Sequence, residues 1–192
     1  MVQDYKPDII IHSAAYTDVK QAENSTDKVI DVNIIGTANI VKISAQHKIK
    51  LVFISTDHVF DGKIGNYSIN DGLSPVTKYA KSKAASELTA RMYDNSLIIR
   101  TSFFGKTFPY EKAFIDQWSS KDYVDIIAPK VLKEALSDKV GIVHCVSARR
   151  TIFEIAKTRN RKIKPMTREE INFPTPKDTS LIIGEAEWMM KK

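Results

Sequence analysis

The sequence has 192 residues, 43% of them hydrophobic, and carries a formal net charge of +6. This length predicts one domain, or one domain with a small lobe, with enough apolar residues for a buried core. The basic residues are spread along the chain, which argues against a nucleic-acid-binding arm. No apolar run is long enough for a signal peptide or a membrane span. The one cysteine, Cys145, excludes an internal disulfide and favours a reducing, cytoplasmic compartment.

Strands and helices are predicted to alternate through the first 105 residues. The first strand, residues 8–12, contains three consecutive isoleucines, and an apolar run without alternation is typical of a parallel strand covered on both faces. The elements predicted after it are a helix over roughly 27–47 capped by Thr26 or Asp27, a strand over 51–55, a helix over 75–93 and a strand over 97–101. This order predicts an α/β fold with a doubly wound, Rossmann-like parallel sheet.

The pattern is less regular after residue 105. The elements predicted there are a loop with a short helix over 106–120, a helix over 126–136, a strand over 141–146, a helix over 151–157 and a turn-rich tail over 172–180. Substrate-recognition lobes are often built from such irregular segments on a rigid sheet. We therefore predict two units, a sheet domain over 1–105 and a small C-terminal α+β lobe over 106–192.

Small, hydroxyl-bearing or aromatic residues follow three of the predicted strands, at 13–17, 55–57 and 102–104. Ligands of open α/β sheets bind beyond the carboxyl ends of the strands. The three segments are therefore expected to converge on one site, next to the helix predicted over 75–93.

Tyr79 and Lys83 are four residues apart on that helix and therefore share a face. An ammonium beside a phenol favours the phenolate and lowers a pKa that is ordinarily about 10, and general-acid catalysis is most efficient near the working pH. The pair is thus suited to protonating a carbonyl held by Thr56. A solvated helix face is the simpler interpretation of the spacing alone, because Tyr16 and Lys20 share it. Thr56, in turn, has the alternative role of a turn residue.

Other reactive side chains give weaker signals. The four histidines, His12, His47, His58 and His144, lack the spacing of metal ligands, so no metal site is predicted. Cys145 is expected to pack as a small apolar residue. Three basic residues are candidates for binding a diphosphate, with a solvated surface as an equal alternative: Lys106, Arg149 and Arg150.

Five segments in order resemble the extended short-chain dehydrogenases, and within them the dTDP-4-dehydrorhamnose reductase family of sugar-nucleotide reductases. The segments are HSAAYTDV (12–19), DVNIIGTAN (31–39), ISTDHVFDG (54–62), YAKSK (79–83) and RTSFFG (100–105). The resemblance extends from about residue 6 to residue 105. Beyond it, residues 178–181 are similar to a late substrate-contacting segment of that family.

The resemblance implies reduction of a 4-keto-6-deoxy sugar nucleotide by NADPH or NADH, with the cofactor supplying the hydride. It implies that Thr56 holds the keto oxygen, that Tyr79 donates the proton, and that Lys83 holds the nicotinamide ribose and lowers the pKa of Tyr79. The further cofactor contacts that it implies are Ser13, Ala14, Ala15, Ser55 and Ser102. The substrate contacts that it implies are Thr17, Thr56, Asp57 and Phe103. Phe103 stands where the family often has tryptophan, and His58 where it usually has tyrosine.

The sequence also departs from the family pattern. The family begins with a strand and a glycine-rich turn for the cofactor pyrophosphate, and none of the seven glycines here forms such a turn. The first βαβ units are therefore expected to be missing, which would impair cofactor binding and leave strand 8–12 as an apolar edge open to a homo- or hetero-oligomeric partner. Two alternatives remain: a non-catalytic regulatory or interaction subunit of this fold, and a sugar-nucleotide epimerase or dehydratase.

Overall fold

The computed structural model describes residues 2–173, 175–184 and 186–187. In chain order, its strands are β1 (Ile9–His12), β2 (Lys50–Thr56), β3 (Ser96–Thr101), β4 (Phe103–Phe104), β5 (Lys112–Phe114), β6 (Trp118–Ser119), β7 (Asp122–Tyr123), β8 (Gly141–His144), β9 (Arg150–Thr151), β10 (Lys164–Met166) and β11 (Ala186–Glu187). Its α-helices are α1 (Val2–Tyr5), α2 (Val19–Ala22), α3 (Thr26–Val29), α4 (Gly36–His47), α5 (Lys78–Arg91), α6 (Val124–Ala135) and α7 (Ile152–Lys157). A π-helix spans Ile30–Ile35, and 3-10 helices span Asp57–Val59 and Arg168–Glu170.

A five-stranded sheet in the order β1-β2-β3-β8-β11 forms the centre of the fold. The first four strands are parallel, and β11 pairs with β8 in the antiparallel direction. The predicted Rossmann-like α/β sheet is thereby confirmed. The sheet also extends past residue 105, because β8 and β11 both come from the segment that we assigned to the lobe.

Helices cover both faces of this sheet, which explains its continuous apolar strands. Successive side chains of a strand point to opposite faces. Leu51 and Phe53 accordingly pack in one buried cluster with Ala90 of α5, while Val52 packs in a second cluster with Ala135 of α6. Within the described residues, no helix combines the length and the apolarity needed to cross a bilayer.

The helix predicted over 27–47 is present, but it contains a π-helix between α3 and α4. The backbone carbonyl of Asn33, inside the π segment, accepts hydrogen bonds from the Thr37 hydroxyl at 2.6 Å and the Ser86 hydroxyl at 2.7 Å. Such π segments often occur at functional sites. The predicted cap residues were wrong: the N-cap is Ser25, and its side chain makes no capping hydrogen bond.

Helix α5 begins at Lys78, three residues after Pro75. Thr77 caps it by accepting a hydrogen bond from the Ala80 N–H at 3.1 Å. A side-chain oxygen at this position satisfies one of the free N–H groups of the first turn. Tyr79 therefore lies in the first turn of the helix and Lys83 lies one turn further on.

The remaining short strands form a lobe of three two-stranded pairs: β4 with β7, β5 with β10, and β6 with β9. The short helix predicted within residues 106–120 is wrong, because that segment carries β5 and β6 instead. Helix α7 is present and begins with a capping box between Thr151 and Glu154. The apolar side chains of the lobe, including the fully buried Tyr123 and Ile155, form a cluster of their own.

Candidate active site

A cavity of about 260 Å³ lies at the carboxyl ends of β1, β2 and β3, beside α5. It brings together most of the residues that the sequence assigned to a site: Ser13, Ala15, Thr17, Ser55, Thr56, Tyr79, Lys83, Ser102 and Phe103. Two assigned residues lie outside its lining, namely Ala14, which is exposed, and Asp57, which is buried. A larger depression of about 540 Å³ lies at the amino ends of β1 and β2, where ligands of such sheets do not usually bind.

Thr56 and Tyr79 meet in this cavity. Thr56 is the last residue of β2 and lines the cavity with Tyr79, where its hydroxyl lowers the pKa of the phenol. The Thr56 oxygen also accepts a hydrogen bond from the His58 N–H at 3.2 Å and lies 3.1 Å from an Asp57 carboxylate oxygen, to which the hydroxyl donates. A hydroxyl with this set of neighbours has a defined position, as carbonyl binding requires.

The pKa of Tyr79 differs from the sequence-based expectation. Burial raises the pKa of Tyr79 to about 12, the Thr56 hydroxyl lowers it, and the negative charge of Asp57 raises it further. Lys83 is not among the groups that shift this pKa, so the expected lowering of the phenol pKa by the ammonium is wrong for this structure. Tyr79 is therefore a firmly protonated phenol, which is the state that a proton donor requires.

Lys83 is 4% exposed and points back toward β2. Its Nζ donates a hydrogen bond to the Ile54 carbonyl at 2.7 Å and lies 4.2 Å from the centroid of the Phe53 ring. Burial lowers the pKa of Lys83 to about 8, with the Glu87 carboxylate acting in the opposite direction. An ammonium has three N–H donors, so it retains donors for a ligand in the cavity that it lines.

Asp57, which the sequence assigned to the substrate, is buried behind the cavity and is not part of its lining. Its second carboxylate oxygen accepts hydrogen bonds from the Thr179 hydroxyl at 2.7 Å and the Ser119 hydroxyl at 3.5 Å. Burial by itself would raise the pKa of Asp57, but His58, Lys121 and the Thr179 and Ser102 hydroxyls hold that pKa below its ordinary value. The carboxylate therefore stays ionised and holds the Thr56 hydroxyl.

Asn33 is a buried residue that the sequence reasoning missed. Its side chain accepts a hydrogen bond from the Tyr16 N–H at 2.7 Å and donates to the Tyr16 carbonyl and the Ser82 hydroxyl at 3.2 and 2.8 Å. Asn33 thereby connects the segment after β1 to Ser82 of helix α5, the residue that precedes Lys83. Its place within the matched segment 31–39 was the available signal.

A buried ion pair below the cavity was also missed. Glu87 and Arg100 are 0% and 1% exposed and form hydrogen bonds of 2.7 to 3.3 Å. Ser55, which lines the cavity, donates to the same carboxylate at 2.6 Å. Glu87 follows Lys83 by four residues on α5, so the spacing that identified Tyr79 would also have identified this residue.

The basic residues proposed for a diphosphate are placed elsewhere. Arg149 pairs with Asp178 at 2.7 Å, Arg150 pairs with Asp122 at 2.6 Å, and Lys106 is exposed outside the cavity lining. Lys121, which the sequence reasoning did not single out, lines the cavity instead. Tyr16 and Lys20, which share the spacing of Tyr79 and Lys83, also lie outside the cavity lining.

The arrangement fits the nicotinamide-ribose end of a dinucleotide. The buried Lys83 ammonium is held by one carbonyl and keeps donors for ribose hydroxyls, and Ser13 and Ala15 supply small side chains that leave room beside it. Among the described residues, no glycine lies in a strand-to-helix turn after β1, so the pyrophosphate end has no corresponding cradle in this part of the chain.

A parallel α/β sheet whose strand ends meet a threonine, a tyrosine and a lysine in one cavity is the arrangement that the sequence resemblance to the extended short-chain dehydrogenases implies. Comparison with known proteins narrows this class. Residues 1–133 match the family model described as the RmlD substrate binding domain, and the chain belongs to that family.

Individual relatives agree with this assignment. The chain is 33% identical over 137 residues to dTDP-4-dehydrorhamnose reductase of Aggregatibacter actinomycetemcomitans, a match that covers 68% of this chain and 46% of that protein. It superposes on the Bacillus anthracis dTDP-4-dehydrorhamnose reductase, solved in complex with NADP, with a TM-score of 0.83 and 30% identity, over 94% of this chain and 73% of that one. It is also 33% identical over 87 residues to methionine adenosyltransferase 2 subunit beta of Danio rerio, which covers 45% of this chain and 26% of that protein.

Proposed function

We propose that this chain carries the proton-donating and substrate-binding part of an NAD(P)-dependent reductase that acts on a 4-keto-6-deoxy sugar nucleotide. The observation that carries the proposal is the convergence of Thr56, Tyr79 and Lys83 on one cavity at the carboxyl ends of the strands. The relatives named dTDP-4-dehydrorhamnose reductase support the substrate class.

The chemistry follows from the positions of the three side chains. A reduced nicotinamide, when bound, supplies the hydride for the carbonyl carbon. When the carbonyl is bound, the Thr56 hydroxyl turns from the Asp57 carboxylate and donates to the carbonyl oxygen. Tyr79 donates to the same oxygen and transfers its phenolic proton to it as the negative charge develops. Lys83 would hold the ribose hydroxyls of the nicotinamide half of the cofactor with the N–H donors that it does not give to Ile54. The products are a secondary alcohol and a tyrosinate, which is reprotonated from solvent.

The remaining assigned residues have proposed roles on either side of this carbonyl. Ser13, Ala15, Ser55 and Ser102 face the cofactor, and Thr17 and Phe103 face the sugar. We further propose that residues 1–105 mainly hold the cofactor and that residues 106–192 mainly hold the substrate. The lobe cluster around Tyr123, separate from the clusters of the central sheet, supports this division.

Replacement of Tyr79 by phenylalanine tests the mechanism. It removes only the proton-donating oxygen, so we expect kcat for NADPH oxidation with a dTDP-4-keto-6-deoxyhexose to fall at least about 100-fold, with a small change in KM. Tyr16→Phe is the matched control, because Tyr16 has the same lysine spacing but lies outside the cavity. Full activity of Tyr79→Phe would refute the role of Tyr79, and no turnover by the unmodified chain would refute the proposed reaction.

A second candidate function, an interaction subunit of the same fold, is favoured by the edge of the sheet. β1 pairs only with β2 among the described strands, and Ile11 on it is 43% exposed. Exposed apolar edges are sites of strand pairing with another chain. The similarity to a subunit named for methionine adenosyltransferase supports this alternative.

Light scattering of the purified chain tests this second function. A self-associated or partner-bound form that Ile11→Lys makes monomeric would support it. Ile64→Lys is the control, because Ile64 is exposed on a loop away from the edge. A chain that is monomeric at high concentration and reduces the keto sugar would contradict it.

A further inference from the structure

Lys121 is a cation of the catalytic cavity that the proposed mechanism does not use. It lies in the two-residue connection between β6 and β7 and lines the same cavity as Tyr79 and Lys83. Its Nζ lies 4.6 Å from the centroid of the Phe104 ring, and its backbone N–H donates to the Ser119 hydroxyl at 3.1 Å. The side chain is thus supported by an aromatic face, while the ammonium keeps its hydrogen-bond donors.

The charge of Lys121 is not neutralised by an ion pair in the described part of the chain. Its sequence neighbour Asp122 is bonded to Arg150 at 2.6 Å. Lys121 helps to lower the pKa of Asp57, but Asp57 lies behind the cavity. Its carboxylate already accepts hydrogen bonds from the hydroxyls of Thr56 and Thr179. None of the described residues that line the cavity is acidic, and Lys121 and Lys83 are its two lysines.

We propose that Lys121 binds an anionic oxygen of the substrate inside the catalytic cavity. The group is the diphosphate of the sugar nucleotide, because its oxygens accept from an ammonium and the 4-keto-6-deoxy sugar itself is uncharged. Arg149 and Arg150 are less suited to this role because each already pairs with a carboxylate. The inference rests on the proposed function, since it takes the ligand of this cavity to be a sugar nucleotide.

The test is calorimetric titration of the full chain, without cofactor, with four ligands: the thymidine and uridine diphosphate forms of glucose and of glucuronate. Removal of the charge in Lys121→Met is expected to weaken binding about tenfold, or ~1.4 kcal/mol. Lys121→Arg keeps the charge and is expected to bind within about threefold of the unmodified chain. Lys81→Met, which removes an exposed lysine of α5, is the matched control and is expected to change nothing.

The pattern across the ligands identifies the anion. An equal loss for glucose and glucuronate forms assigns Lys121 to the diphosphate, whereas a loss confined to the glucuronate forms would overturn the inference. Binding of all ligands within twofold by Lys121→Met, no binding by the unmodified chain, or equal losses in Lys121→Met and Lys121→Arg would each overturn the inference. Since these measurements need no turnover, failure of the reductase reaction with retained Lys121-dependent binding would refute the proposed function alone.

Discussion

The buried ammonium of Lys83 makes the stability of this protein depend on pH in a direction opposite to that of most lysines. A lysine that gains an ion pair on folding stabilises the protein until high pH removes its proton. Burial instead lowers the folded pKa of Lys83 from 10.5 to about 8. Below about pH 8 both the folded and the unfolded chain carry this proton, and burial of the charge destabilises the folded chain.

The size of the effect follows from the difference between the two pKa values. As the pH rises above about 8, the folded chain releases the proton while the unfolded chain keeps it, so the free energy of unfolding increases. Between about pH 7 and about pH 9.5, Lys83 should add about 2 kcal/mol of stability, since each pKa unit corresponds to ~1.4 kcal/mol. For a chain of this length, this is equivalent to roughly 4–8 °C in Tm.

Urea denaturation of the unmodified chain and of Lys83→Met at both pH values measures this effect. The difference in unfolding free energy between the two proteins should change by about 2 kcal/mol in favour of the unmodified chain as the pH rises. Other titrating groups cancel in that difference, and Lys81→Met on the same helix should show no such change. Parallel pH dependences for the unmodified chain and Lys83→Met would refute the assignment of a buried, pKa-lowered ammonium.

Two further predictions concern the packing around the site. Glu87→Gln should lower the free energy of unfolding by about 3 kcal/mol or more in urea denaturation, because it leaves the Arg100 charge buried without its counter-ion. Glu170→Gln, which removes an exposed ion pair with Lys112, is the control and should show little change. Gly65→Ala should cost more than about 1 kcal/mol, because Gly65 has φ of +71° and an added methyl would overlap the Asp178 carboxylate. Gly72→Ala, with open space around it, is the control, and equal melting temperatures would contradict the argument.

The sheet and its site were predictable because they depend on local signals. Continuous apolar runs such as residues 51–54 can only be buried on both faces, and this requirement specifies a parallel sheet between helices. Parallel strands bring their carboxyl ends to one edge, so the segments after β1, β2 and β3 had to approach one another. Helical spacing then placed Tyr79 and Lys83 beside them.

The electrostatics of the site were not predictable in the same way. The spacing of Tyr79 and Lys83 suggested that the ammonium lowers the phenol pKa. Burial of both groups dominates instead: it raises the pKa of Tyr79 and lowers the pKa of Lys83, and so favours the neutral form of each side chain. Burial depends on everything that packs around a residue. The sequence of a short motif carries no information about how deeply its residues are buried.

Asp57 shows how the lobe contributes to the chemistry of the sheet. Its carboxylate receives the hydroxyl of Thr56 from its own strand end and the hydroxyl of Thr179 from 122 residues further along the chain. The segment with Thr179 is itself held to the lobe, where Leu181 and Ser120 exchange two hydrogen bonds of 3.1 Å. The Thr56 hydroxyl, which lowers the pKa of Tyr79, is therefore oriented jointly by the sheet and the tail. A change in the tail segment should then alter proton donation at Tyr79 without touching the Thr/Tyr/Lys motif.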